Sequence, residues 1–261
     1  MPWSTELGGF VAGLLIAVVT SPVGISGAVF LLPVQLDVLG IPSPRVTPTN
    51  LLFNVVAVPG SLLRYRRRTA AFGRLSRLLV AGTLPGVIAG AVIRVYLVPG
   101  VRPFRVIAGL VLLPLGAFVL TRRSGGAESD ESSRSMTPTR ITGMAAIVGV
   151  VAGIYGIGGG SLMGPVLVGS GFTVAAVAPA ALASTFVTSI VGAVTYAALA
   201  VLESGAIAPD WAVGSACGLG GLVGGYVGAH LQPRLPERAL RILLGVLAMT
   251  LGAAYLGQGL T

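Results

Sequence analysis

Long apolar stretches, separated by short polar or glycine-rich segments, fill most of the 261-residue chain. They lack the polar face of a surface helix and are typical of helices that lie in a bilayer. The pattern predicts an all-α integral membrane protein with little of its chain outside the membrane. Ten apolar runs are present: Leu7–Thr20, Val29–Leu39, Val46–Leu63, Leu75–Ile93, Val106–Leu120, Ile141–Ile154, Ser161–Ser170, Val174–Leu202, Trp211–Ala229 and Ala239–Leu256.

Composition and charge strengthen this prediction. Hydrophobic residues make up 54% of the chain and charged residues 10%, whereas soluble domains carry about 25% charged residues. The net charge of +9 comes from 17 basic residues, all of them arginine, against eight acids. In a membrane protein, clustered arginines mark cytoplasmic loops, so we interpret them as topology and expect no nucleic-acid partner. A single cysteine, Cys217, permits no internal disulfide.

The chain consists of two similar halves. Residues 122–140 are rich in Ser, Gly and charge, and predict a disordered cytoplasmic linker between a first membrane repeat, 1–121, and a second, 141–261. Aligning Pro33 with Pro165 sets the glycine-rich segments of the two halves side by side. Internal duplication is a common plan of secondary transporters. Glycines also recur at every fourth position, which predicts helix contacts: Gly82, Gly86 and Gly90 match Gly220, Gly224 and Gly228.

Arginine positions indicate how the repeats cross the membrane. The first apolar run of each half has 14 residues, which is about 21 Å of helix against a hydrocarbon core of about 30 Å. We therefore expect the first two runs of each half to form a re-entrant hairpin, followed by three spanning helices, so that the second half is inverted. This arrangement places 13 arginines on one face and four on the other, whereas eight plain spans divide them ten to seven. The arginine-rich face is expected to be cytoplasmic.

Two glycine-rich turns, residues 20–27 and 155–161, interrupt apolar helices at membrane depth. Each turn precedes a helix N-terminus, near Ala28 or Ser161, whose unpaired N–H groups and partial positive charge favour an anion. Two such termini meeting near the midplane predict an anion site. In the alternative interpretation, the glycines only let helices kink or pack. The candidate residues in the turns are Ser26, Gly27, Ala28, Gly158, Gly159, Gly160 and Ser161.

Polar residues on the next span of each half extend the candidate site. Asn50 and Asn54 lie four residues apart and therefore share a helix face. Neutral hydroxyl and amide donors can hold a small oxyanion and still release it, as transport requires. Their alternative role is to bond across helices, at about 0.6 kcal/mol each. The corresponding span of the second half offers Ser184, Thr185, Thr188 and Ser189, of which the first three join the candidate site.

The segment GIGGGSLMGPVL, from Gly156 to Leu167, followed by the polar patch Ala183-Ser184-Thr185, resembles the sulfite exporter TauE/SafE family. The resemblance extends to the length, the duplication and the position of the linker. It implies a multi-pass transporter of the bacterial cytoplasmic (inner) membrane that exports sulfite, sulfoacetate or a related organosulfonate. The first half has Ser26 and Ala28 where the second half has Gly158 and Gly160, and this departure bears on the substrate more than on the fold.

The sequence contains no constellation of an enzyme. It has no HExxH motif and no Walker loop, and its one histidine, His230, is expected at the membrane interface. We therefore expect a non-enzyme without cofactor or metal, whose partners are a small anion and the lipid bilayer. A membrane scaffold or assembly factor without transport activity is the alternative. A cation or metal transporter is disfavoured because buried carboxylates are lacking. The sequence indicates neither the oligomeric state nor the coupling ion.

Overall fold

The computed structural model describes residues 3–65, 73–97, 136–202 and 207–260, together with separate positions between 102 and 121. Every regular element within these residues is helical, as predicted. The α-helices are α1 Trp3–Thr20, α2 Ala28–Pro33, α3 Ser43–Tyr65, α4 Arg74–Tyr96, α5 Pro138–Tyr155, α6 Gly159–Gly169, α7 Val174–Leu202, α8 Trp211–Leu231 and α9 Glu237–Leu260. Short turns add 3₁₀ segments at Ser21–Val23 and Gln232–Arg234 and a π-helical turn at Val34–Val38.

Seven helices within the described residues are long and apolar enough to cross a membrane. The protein is therefore a multi-pass membrane protein. Two further apolar helices, Ala28–Val38 and Gly159–Gly169, are shorter and measure about 16 Å by their rise per residue. The seven long segments are Thr5–Val23, Arg45–Tyr65, Arg74–Tyr96, Pro138–Tyr155, Val174–Leu202, Trp211–Arg234 and Arg238–Gly259.

The first helix of each half is longer than its apolar run. Helices α1 and α5 each have 18 residues, which is about 27 Å and close to the thickness of the hydrocarbon core. The prediction that the first arm of each hairpin is too short to cross is therefore wrong. Helix α5 begins early because Thr137 caps it, accepting a hydrogen bond from the N–H of Arg140 at 3.3 Å, with Pro138 in the first turn.

This early start also affects the predicted linker. Its residues 122–135 lie outside the described part of the chain, and its last three residues, 138–140, belong to α5. The predicted disorder of the linker stays a prediction.

The first half contains a reversal of chain direction between α1 and α3. Near the start of α1, a Cβ on Gly9 would lie 2.9 Å from Cys217 Sγ of α8 and 3.8 Å from Leu39, which follows the π-helical turn. At the other end, a Cβ on Gly228 of α8 would meet the carbonyl of Val18. Helix α1 therefore runs parallel to α8 along most of its length, and α2 brings the chain back to the level at which α1 began.

The second half contains a matching reversal between α5 and α7. At the end of α5, the carbonyl of Gly153 accepts a hydrogen bond from Tyr196 Oη of α7 at 2.9 Å. Within α6, a Cβ on Gly160 would overlap the carbonyl of Ala181, an earlier residue of α7. Helix α6 therefore returns along α7 toward the end of the molecule from which α5 started.

The glycine rows are helix contacts, as predicted. Helix α4 packs in parallel on α5, and α8 packs in parallel on α1. A Cβ at any of the six positions would overlap a main-chain oxygen of the neighbouring helix, so only glycine permits this approach. The pairs are Gly82 with Thr142, Gly86 with Ala146, Gly90 with Val150, Gly220 with Phe10, Gly224 with Leu14 and Gly228 with Val18.

Helices α3 and α7 form the centre of the described fold and run antiparallel to each other. A Cβ on Gly192 of α7 would lie 3.1 Å from Leu51 of α3, and a Cβ on Gly24, beside the end of α1, would overlap Ala178 near the start of α7. Helix α8 flanks α3, and α4 flanks α7. The two turns therefore lie against the central pair of helices rather than at the periphery.

Candidate functional site

The helices are interrupted at both glycine-rich segments. Helix α1 ends at Thr20 and α2 begins at Ala28, while α5 ends at Tyr155 and α6 begins at Gly159, two residues before the expected Ser161. Gly24 and Gly156 occupy corresponding positions with φ of +76° and +69°. This left-handed conformation favours glycine. The backbone therefore requires glycine at the same place in both halves.

The beginnings of α2 and α6 meet at the midpoint of α3. The N–H of Ser26 donates to Ser161 Oγ at 3.2 Å. Asn54, halfway along α3, bonds to both turns: its Oδ1 accepts from Ser26 Oγ, and its Nδ2 donates to the carbonyl of Gly156 at 3.3 Å. The structure thus brings together polar groups that are up to 135 residues apart in sequence.

Helix α7 supplies a second set of polar groups to the same place. Ser161 Oγ and Thr185 Oγ1 are 3.4 Å apart. Thr188 Oγ1 accepts from the N–H of Gly159 at 3.2 Å and donates to the carbonyl of Ser184 at 2.7 Å. All four hydroxyl side chains are buried. A hydroxyl can therefore reach an amide at the start of α6 from the centre of α7.

Gly158 has no room for a side chain. It has φ +72°, and an added Cβ would overlap Thr185 and lie 3.2 Å from Ser189 Oγ. Gly27 differs, because its Cβ position meets the apolar side chains Ile16 at 3.0 Å and Phe53 at 3.2 Å. Gly27 is thus the one turn glycine among the predicted site residues that packs against apolar carbon only.

Two of the N–H groups that were expected to be unpaired are occupied. The N–H of Ala28 donates to Ser26 Oγ at 3.1 Å, and that of Gly159 donates to Thr188. The expectation of unpaired amides is wrong at these positions. A buried N–H without a partner costs about 1–3 kcal/mol, and neighbouring hydroxyl groups remove that cost.

Two other polar groups of the cluster have no hydrogen-bond partner among the described residues. They are Asn50 Oδ1 and Ser189 Oγ, and both residues are fully buried. The opposite end of the Asn50 amide is used, because Nδ2 donates to the carbonyl of Ala28 at 2.9 Å. The cluster therefore has hydrogen-bonding capacity to spare at a depth where water is scarce.

Thr83 of α4 is a member of the cluster that sequence reasoning missed. Its Oγ1 lies 3.3 Å from Ser184 Oγ and donates to the carbonyl of Leu79 at 2.8 Å. Its methyl group occupies the space into which a Cβ on Gly159 would project. The available signal was the hydroxyl of Thr83 between Gly82 and Gly86, in the apolar part of the run.

The hydrogen bonds of the cluster involve hydroxyl, amide and main-chain groups, with no ionised side chain among the described partners. Arg94 is buried elsewhere and donates to Ser43 Oγ at 2.7 Å, at the start of α3. Asn54 lies eleven positions after Ser43 on α3, which is about 16 Å along the helix. The described residues contain no group of three or more His, Cys, Asp or Glu that fits a metal ion. The arrangement suits reversible binding of a small anion by neutral donors.

The chain matches a known protein-family model over most of its length. The model described as "Sulfite exporter TauE/SafE" matches residues 9–255, nearly the whole chain. No curated protein and no solved structure matches the chain. The matched range includes both turns, the central helices and the polar cluster between them. The chain therefore belongs to the sulfite exporter TauE/SafE family of membrane transport proteins.

Proposed function

We propose that this protein exports a small sulfur-containing anion, such as sulfite, sulfoacetate or a related organosulfonate, across a bacterial cytoplasmic membrane. The observation that carries the proposal is Asn54, which hydrogen-bonds to both turns at the midpoint of α3. A side chain shared by two helix breaks couples the anion site to both halves of the molecule. Family membership supports the substrate class.

The anion occupies the space where the starts of α2 and α6 meet. The residues assigned to it are Ser26, Gly27, Ala28, Asn50, Asn54, Gly158, Gly159, Gly160, Ser161, Ser184, Thr185 and Thr188. Helix α6 has 11 residues, so its N-terminus contributes a partial positive charge of about half a unit. Transport also needs release, and neutral donors hold an anion less firmly than a buried arginine pair would.

Thr188 and Ser26 compete with the anion for the amides at the starts of α6 and α2. Their hydroxyl groups accept from the N–H groups of Gly159 and Ala28. As the anion binds, its oxygens replace these hydroxyl oxygens at the two amides. Thr188 then rotates to donate to the anion, while Ser26 keeps its hydrogen bond to Asn54. Hydrogen bonds are exchanged rather than added, so binding stays moderate and the anion can leave.

The two halves, 1–121 and 141–261, are proposed to be inverted repeats, each a re-entrant hairpin followed by three spans, joined by the cytoplasmic linker 122–140. Reciprocal packing supports this arrangement: the first helix of each half lies parallel to a span of the other half, α1 on α8 and α5 on α4. The central helices α3 and α7 are antiparallel, as an axis in the membrane plane requires.

Hydrogen bonds to the tip of each hairpin close the two ends of the pathway. At the first tip, Tyr65 Oη donates to the carbonyl of Ser21 at 3.0 Å, and Gln232 Nε2 donates to that of Pro22 at 2.8 Å. At the second tip, Tyr196 donates to Gly153, and Thr47 Oγ1 donates to the carbonyl of Ile154 at 3.2 Å. Alternating release of these tips gives the anion access to one side at a time.

Cysteine labelling tests the proposed topology. In a Cys217→Ala background, Trp3→Cys and Val38→Cys should react with an impermeant thiol reagent from outside, and Arg74→Cys from the cytoplasm. The protein itself does not cover these two positions, since Trp3 is 88% and Val38 75% exposed. Val38 distinguishes the re-entrant hairpin from a single crossing of the membrane by the first two apolar runs. A single crossing would place Trp3 and Val38 on opposite sides. Labelling of those two cysteines from different faces would exclude re-entry.

Flux measurements on the purified protein test the function. In proteoliposomes, sulfite and sulfoacetate should cross faster than in protein-free vesicles, and faster than chloride or sulfate. No Walker loop for ATP occurs in the sequence, so flux should follow the substrate gradient and the membrane potential without nucleotide. A folded protein that moves none of these anions would instead support the scaffold or assembly-factor alternative.

A further inference from the structure

The side-chain amide of Asn50 has only one possible orientation. Its Nδ2 donates to the carbonyl of Ala28 at 2.9 Å. A carbonyl oxygen can only accept, so exchanging the two ends of the amide would place two acceptors against each other. Asn50 Oδ1 is therefore the free end. It is fully buried and has no donor among the described residues.

This free acceptor distinguishes Asn50 from its neighbour Asn54. Both ends of the Asn54 amide are used, by Ser26 and by Gly156. Ser189 Oγ, beside Gly158, also lacks a partner in the described chain, but a hydroxyl can donate as well as accept. The site thus presents an unused acceptor in addition to donors. A fully deprotonated oxyanion has only acceptors and is repelled by Asn50 Oδ1.

We propose that the site selects a sulfur oxyanion in a singly charged form that carries its own O–H, namely hydrogen sulfite rather than the sulfite dianion. The O–H of the substrate donates to Asn50 Oδ1, and its unprotonated oxygens accept from the hydroxyl and main-chain donors. This inference rests on the proposed function and narrows its substrates: sulfoacetate and other sulfonates, whose sulfonate group carries no O–H, should cross more slowly than hydrogen sulfite. One proton and the sulfite dianion cross together as one ion. The protein holds this ion by hydrogen bonds and forms no covalent bond to it.

The titratable groups on the elements that pack against α3 have partners or positions away from Asn50 Oδ1. Tyr196 of α7 bonds to Gly153, and Cys217 of α8 lies beside Gly9. His230 is in the last turn of α8, and Asp37 is exposed in the π-helical turn. Asp210, buried beside the start of α3, caps α8 by accepting from the N–H of Val213 at 3.1 Å and lies 3.8 Å from Arg45. Arg45 and Arg64, on α3 itself, lie near its two ends. The substrate, rather than a side chain of the site, therefore carries the proton.

Proton movement with the wild-type protein is the first test. Proteoliposomes containing a pH dye are given sulfite, and protein-free vesicles correct for diffusion of sulfur dioxide. Uptake should acidify the interior in step with sulfite entry. At constant total sulfite, the rate should fall about tenfold per pH unit once the dianion predominates. Movement of the dianion would cause no acidification.

Substrate selectivity of two variants is the second test. Methanesulfonate is a monoanion without an O–H, so it cannot donate to Asn50. Asn50→Leu should lower the ratio of hydrogen sulfite flux to methanesulfonate flux about tenfold, the effect of losing one hydrogen bond. The matched control is Thr185→Val, which removes a hydroxyl of the site on α7. It should lower both fluxes together and leave their ratio unchanged.

The outcomes separate this inference from the proposed function. If the wild-type protein carries both anions without proton movement and Asn50→Leu keeps the ratio, water rather than the substrate satisfies Asn50, and the inference is wrong while transport stands. If the wild-type protein carries neither anion, the proposed function fails as well. Should Asn50→Leu not fold, proton movement and the pH profile of the wild-type protein still decide.

Discussion

Replacing Asn54 by leucine should reduce anion flux by more than about a hundredfold. The side chain is fully buried and bonds to Ser26 of one turn and Gly156 of the other. Leucine has a similar size but leaves both partners unpaired, at about 1–3 kcal/mol each. A loss of about 3 kcal/mol at the rate-limiting step corresponds to about a hundredfold in rate. The measurement is initial sulfite flux per folded protein in proteoliposomes.

A second substitution controls for the general effect of removing a polar group. Thr195 of α7 is half-buried, and its hydroxyl donates to the carbonyl of Val191 at 2.8 Å within its own helix. Thr195→Val should therefore leave flux near the wild-type value. Thermal unfolding in detergent reports whether Asn54→Leu is folded. Near-normal flux in a folded Asn54→Leu protein would place the anion site elsewhere.

Adding a methyl group at Gly159 should abolish most of the flux and also destabilise the protein. The new Cβ would overlap the Thr83 methyl group and lie 2.6 Å from Thr83 Cβ. Overpacking of this kind costs about 1–3 kcal/mol. Because the clash is with a side chain, Thr83→Gly in the same protein removes it. The double variant Thr83→Gly/Gly159→Ala should regain stability and remain slow, since its methyl group still lies beside the start of α6.

Two other alanine substitutions calibrate this result. Gly27→Ala meets only the side-chain carbons of Ile16 and Phe53, at 3.0 Å and 3.2 Å, so a shift of a few tenths of an ångström accommodates it. It should be milder than Gly159→Ala. Gly143→Ala, on α5, meets nothing within 4 Å and should change neither stability nor flux. A double variant with wild-type flux would show that the start of α6 does not hold the anion.

Local sequence patterns were sufficient to predict the helices, their breaks and many of their contacts. Apolar runs predicted membrane helices because a bilayer leaves few alternatives for the backbone. Gly24 and Gly156 fall at the predicted turns because positive φ is costly for any other residue. The four-residue spacing of small side chains predicted the contacts of α4 and α8, since this spacing returns to the same helix face.

Helix length was less predictable. The apolar runs stop where polar residues begin, but α1 and α5 continue through such residues, starting at Trp3 and Pro138. Capping by Thr137 and the helix-compatible φ of proline set the start of α5. Hydrophobicity indicates which residues can lie in the hydrocarbon core of the bilayer. The position at which a helix begins depends instead on hydrogen bonds to its terminal amides.

By itself, the sequence determined the helical membrane fold, the positions of both turns and a set of polar residues near them. Only the tertiary structure decided that Ser26 contacts Ser161, that Asn54 bonds to both turns, and that Thr83 fills the space beside Gly159. Periodicity assigns a residue to a face of its own helix, but the partner across that face depends on how the helices pack. For the same reason, the sequence did not show that the amides of Ala28 and Gly159 are paired. The hydroxyl group of Ser26, in the turn, accepts from Ala28, and that of Thr188, 29 residues along the chain on α7, accepts from Gly159.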